Sequence, residues 1–140
     1  MHVSASDEPR LYREGIDLFN DGEWFEAHEV WEDIWHLAEG RRKKFYQGLI
    51  QCAVTLEHAR RGNPRGVRSV WATCVPKFEG MEGAYLGIDV RRLIDGVGSV
   101  IQPVLDLPDR FFDPALPRGQ VLPVDWAAVP KITLSHDPFA

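Results

Sequence analysis

The chain has 140 residues, a length that fits one domain able to bury a core without disulfide or metal staples. Hydrophobic residues make up 44% and charged residues 26%, the balance of an ordinary globular protein, and no apolar run reaches the roughly 18–20 residues of a membrane span. The formal net charge of -5 argues against a general nucleic-acid binder, whose affinity rests on Lys and Arg meeting phosphates.

The segment from Met1 to Pro9 is polar and acidic, unlike a secretory leader, so the expected address is the cytoplasm. The helical pattern then begins. Pro9 suits a first turn, and Leu11, Tyr12, Ile16 and Phe19 recur at helical spacing, predicting a first helix from about Pro9 to Phe19. Asn20-Asp21-Gly22 is turn chemistry, with Asp21 available to cap the next element. The second helix, Glu23 to about Glu39, gathers Trp24, Ala27, Trp31, Ile34, Trp35 and Ala38 on one face and is expected to close on Gly40. A third, about Arg41 to Arg61, is apolar around most of its circumference and should be central. Gly62-Asn63-Pro64 supplies a stop, a cap and a first-turn proline for a fourth helix carrying Val67, Val70, Trp71, Cys74 and Phe78, which Pro76 should kink or shorten. A Gly-rich stretch leads to a fifth helix near Asp89 to Leu105, with Asp89 as its cap.

Cys52 and Cys74 have no zinc-type spacing and each lies among apolar residues, which reads as two buried free thiols. A disulfide would require their helices to touch at those points.

Beyond the fifth helix the character changes. Seven of the ten prolines lie from Pro103 onward, interleaved with Val121, Leu122, Val124, Trp126, Ile132 and Leu134. Proline at that density forbids a long helix, yet so many apolar groups should not hang in water. The expectation is a helical domain over 1–106 and an ordered arm over 107–140, wrapped on the same domain or on a partner subunit. The fold class is therefore all-α, an irregular bundle of about five helices with an extended Pro-rich C-terminal arm. Self-association through that arm is one expectation.

The run Phe19-Asn20-Asp21-Gly22-Glu23-Trp24-Phe25-Glu26-Ala27-His28-Glu29-Val30-Trp31-Glu32 resembles the signature of domain-of-unknown-function family 309. Gln47-Gly48-Leu49-Ile50-Gln51, His58 and Gly62-Asn63-Pro64 continue the likeness in order and spacing. It covers roughly Leu11 to Leu105 and implies a compact helical fold with no established activity. The first helical pair also resembles a tetratricopeptide hairpin, with Gly15, Leu18, Gly22, Trp24, Ala27 and Trp31 at that repeat's small and large positions. The stretch from Ala53 to Val70 repeats the idea with a slipped register. That implies a related packing style but not an array, which needs about three repeats.

The polar residues that call for an account are few. His28-Glu29-Val30-Trp31-Glu32 is similar to the zinc-protease HExxH without its second histidine. His28 and Glu32 share a helix face at the edge of the apolar arc, while Glu29 points further toward solvent. On the third helix Gln47, Gln51 and His58 fall within a stripe about 40° wide. Burying such groups without partners costs about 1–3 kcal/mol each. A polar stripe on a central helix therefore needs partners, a water-lined cleft or a ligand. Three readings follow. The groups lock helix packing. Or His28, Glu32, Gln47, Gln51 and His58 line a cleft for a small ligand or protein partner. Or His28, Glu29 and Glu32 serve acid/base catalysis, with a metal on His28, Glu32 and His58. There is no Gly-rich phosphate loop, GxSxG elbow or catalytic Cys-His pattern, and no cofactor is identified.

Overall fold

A computed structural model describes residues 3–81 and 83–140. Five α-helices follow in order: α1 (Glu8–Asn20), α2 (Trp24–Trp35), α3 (Gly40–Arg60), α4 (Pro64–Cys74) and α5 (Val90–Leu105). A two-stranded antiparallel hairpin, β1 (Ala84–Tyr85) and β2 (Ile88–Asp89), precedes α5. The chain is predominantly all-α, as its periodicity indicates.

The caps explain most boundaries. Pro9 sits in the first turn of α1. The Asn63 side chain accepts from Gly66 N at 3.2 Å and opens α4 at Pro64. The Asp89 side chain accepts from Arg92 N at 3.0 Å and opens α5. Past Cys74 the chain tightens into a 3-10 turn, Val75–Phe78, because Pro76 cannot donate into a continuing α-helix. Two expectations are corrected. The second helix stops at Trp35, where Leu37 N and Ala38 N donate to Ile34 O and Trp35 O at 3.1 and 3.2 Å. This tight turn buries Ala38 and leaves Gly40, at φ +59, as the first residue of α3 and not the closing glycine of α2. Asp21 closes α1 through its backbone N–H and does not cap α2, which is entered through Glu23 without a side-chain bond.

α1 packs on α2, α2 on α3 and α3 on α4, and α5 closes more lightly over α3 and α4. The core holds Tyr12, Phe19, Trp31, Phe45, Tyr46 and Leu56 among its largest side chains. Close approach of α1 and α2 depends on Gly15, whose missing Cβ leaves room for the indole of Trp31. Trp31 Nε1 donates to Tyr12 O at 3.3 Å across the same contact. Cys52 and Cys74 are both buried, with their sulfurs 3.6 Å apart across the α3–α4 interface. Hydrogen bonding to Cys74, and then burial, push the Cys52 thiol well above its ordinary pKa.

The C-terminal segment lies on the chain's own helices. Phe112 sits under the Arg68 guanidinium of α4, 3.9 Å from ring centroid to Cζ. Trp126 stacks on Trp24 at 5.4 Å. The Asn20 side chain brackets Ile132, donating to its carbonyl at 2.8 Å and accepting from its N–H at 2.7 Å. Ser135 N then donates to Gly87 O at 2.9 Å, and Phe139 meets the Tyr12 ring edge-on at 5.6 Å.

Candidate functional site: the groove between α2 and α3

On α2, Phe25, His28, Glu32 and Trp35 follow one another at intervals of three and four residues, which places them on one line along the helix. Along α3 and its C-terminal cap, Lys43, Gln47, Val54 and Arg61 do the same at intervals of four and seven. The two lines are joined at both ends. The Lys43 ammonium lies over the Trp35 ring at 4.5 Å, and the Arg61 guanidinium lies over Phe25 at 5.2 Å. The helices are therefore antiparallel, and the groove along their seam covers about 15 Å of α2 between two cation–π contacts.

Inside that groove His28 Nε2 is 3.2 Å from Glu32 Oε1. Its other ring nitrogen, Nδ1, faces the carbonyl of Phe25, and the ring meets Phe25 edge-on at 5.0 Å. Both nitrogens thus face acceptors, and both can donate only when the imidazole carries two protons. His28 is mostly covered, whereas Glu32 is about half exposed and can accept further bonds. Two polar atoms of these helices are buried without a hydrogen-bond partner: the Trp35 indole N–H on α2 and the Gln51 side-chain oxygen on α3. Gln51 stands one helical row beyond Gln47, toward α4, and about 12 Å along α3 from the level of Lys43.

The structure brings His28 and Glu32 together and sets them beside the Gln47 line. It does not bring His58 to them. His58 belongs to the α3–α4 turn, where Nδ1 is 3.1 Å from Asn63 Nδ2 and the ring lies against Gly66. Burial first, then the charges of Arg118 and Arg61, lower its pKa below the ordinary 6.5. Glu29 is exposed on the solvent side. Among the described residues no three His, Cys, Asp or Glu side chains converge as a set that could hold a metal ion, so His28, Glu32 and His58 are not assembled as such a trio. No helix of the described residues is long and apolar enough to cross a membrane.

Sequence reading missed the aromatic and cationic ends of this site. Phe25 and Trp35 carry the same three-four spacing as His28 and Glu32, and that signal was present. Their partners Lys43 and Arg61 could be identified only once α2 and α3 were aligned.

The curated relatives add no activity. An "Uncharacterized protein" of Aquifex aeolicus (strain VF5) is 33% identical over 87 residues, covering 56% of this chain and 26% of that protein. "Uncharacterized protein YpuF" of Bacillus subtilis (strain 168) is 33% identical over 100 residues, covering 69% of this chain and 58% of its own length. The chain thus spans about a quarter and somewhat over half of these relatives. The family described as "Domain of unknown function (DUF309)" matches residues 12–70, from α1 into α4 and including the whole groove. Over residues 12–70 the chain matches the DUF309 domain, a stretch that ends within α4.

Proposed function

We propose that this chain is a binding domain whose α2–α3 groove takes a short extended peptide segment. The observation that carries the reading is the pair of unmet groups on the two helices, the donor on Trp35 and the acceptor on Gln51. A buried polar atom without a partner is costly to a fold, and a peptide group offers a C=O and an N–H together. Glu32 and the half-buried amide of Gln47 extend the same hydrogen-bonding row. Four extended residues span about 13 Å, which matches the separation of Gln51 from the Trp35–Lys43 end. The aromatic groups at each end suit apolar side chains of such a segment. His28 supports binding over proton transfer, because both its nitrogens are already directed at groups of the chain itself.

The test is affinity selection of random hexapeptides on the immobilised chain, with a His28→Ala, Gln51→Leu double variant as counter-target. Enriched peptides are expected to bind the parent chain at least tenfold more tightly than the double variant. Absence of enrichment, or peptides that bind both alike, would contradict the proposal.

A further inference from the structure

We propose a second site, for a small planar aromatic carboxylate, in the pocket where the C-terminal arm passes the α1–α2 turn. This pocket has a volume of about 620 Å³, within the range of small-molecule sites. It shares no lining residue with the α2–α3 groove and does not depend on the peptide-binding reading.

One wall is aromatic. Trp24, only 6% exposed, and Trp126, 40% exposed, stack with centroids 5.4 Å apart and planes at 30°. Val129 and Pro130 continue that wall along the arm. A flat ring has a face to lie on here, on the exposed side of Trp126.

The polar groups select the ligand's charge. Trp24 Nε1 is buried and has no acceptor, and an indole nitrogen can only donate. Lys131 lines the pocket and points its ammonium at the neutral carbonyl of Asn20. The Arg60 guanidinium, 5.3 Å from the Trp24 ring, lies behind the pocket, donates to Gly22 O at 3.1 Å and is already paired with Glu57. Against these, Asp21 is the one carboxylate lining the pocket. The neighbouring Asp125 is engaged as the cap that accepts from Ala127 N at 3.2 Å. Lys131 and Asp21 balance in charge among the lining side chains, and the buried group left unmet is a donor, so the ligand must bring an acceptor, which a carboxylate supplies and an ammonium does not. A carboxylate meets the Trp24 N–H and Lys131 while its ring lies on the tryptophans.

The experiment uses the full chain and three probes of one shape: 2-naphthoate, 2-naphthalenemethanol and 2-naphthylmethylamine, titrated by calorimetry and ligand-observed NMR. Naphthoate is expected to bind saturably, at least tenfold more tightly than the alcohol, with the amine weakest. Lys131→Met should abolish the preference for naphthoate over the alcohol. Trp126→Ala should weaken both by a similar factor. Both positions are exposed, so the variants should fold, and their melting curves provide the check. Trp24→Phe keeps an aromatic face without the N–H and should reduce naphthoate binding selectively. No saturation at millimolar naphthoate, equal binding of acid and alcohol, or binding unchanged by Lys131→Met and Trp126→Ala would overturn the site.

Discussion

Gly15→Ala tests the packing that fixes the position of α2. Gly15 lies within α1, where alanine ordinarily stabilises a helix by about 1 kcal/mol over glycine. A Cβ at this position, however, would stand 2.0 Å from Trp31 Nε1 and 2.4 Å from Cδ1. Trp31 is fully buried, lies near the Phe19 ring and is held by its bond to Tyr12 O. It must move by well over an ångström or push α1 away. Overpacking of that kind costs about 1–3 kcal/mol. Losing the indole bond in a buried setting adds about 1–3 kcal/mol. The helix-propensity gain is outweighed, and the net loss should be about 2–4 kcal/mol. For a domain of this size that lowers the melting midpoint by roughly 10 °C. The assay is urea denaturation and thermal melting of the single variants Gly15→Ala and Trp31→Phe and of the double variant. Phenylalanine is smaller than tryptophan and has no N–H to bond Tyr12 O, so its ring can yield to the added methyl. The double variant should therefore lose less than the two single losses combined. A Gly15→Ala chain as stable as the parent, or strictly additive losses, would refute the close-approach argument.

Three further outcomes follow from the same geometry. The Cys52 and Cys74 thiols are both free and buried, with a hydrogen bond between them, so a thiol reagent should label neither cysteine in the native chain and both after guanidinium unfolding. Rapid native labelling would contradict the packing. The lowered pKa of His58 means that the unfolded chain binds a proton where the folded chain does not. This contribution is complete above about 6.5 and is lost as pH falls below it. Melting midpoints should drop from about pH 7 to about pH 5, less steeply in His58→Gln, and an unchanged slope would refute the assignment. Asn20→Ala removes both bonds to Ile132. It should cost about 1–3 kcal/mol and expose the arm to limited proteolysis ahead of the helices, whereas cleavage no faster than in the parent would count against the bracket.

What the sequence discloses depends on how local the determinant is. Asn63 and Asp89 act on nitrogens three residues away, and both caps were readable. The three-four spacing of the apolar residues placed all five helices. The end of α2 was misread because Gly40 supplies a positive φ at either a helix end or a helix start, and only the tight turn after Trp35 decides between them. The hairpin before α5 rests on two-residue strands and on Leu86, a non-glycine residue at φ +46, so neither period nor composition announces it. The path of the arm rests on bonds such as Asn20 to Ile132, 112 residues apart, which no periodicity encodes. For the groove, the wheel put His28 and Glu32 on one face and found the Gln47–Gln51 stripe. It could not separate His58, which turns to Asn63 and Gly66 of the next helix pair.

The central claim is that Gln51 carries a polar atom the free fold leaves unmet so that a ligand can meet it, and thermal denaturation of Gln51→Leu tests this most directly. Replacing an unsatisfied buried amide by an apolar side chain of similar size should raise stability by about 1–2 kcal/mol while peptide binding is lost. A variant that melts below the parent would show that the amide is already satisfied within the fold, and the groove would then lose its claim to a ligand.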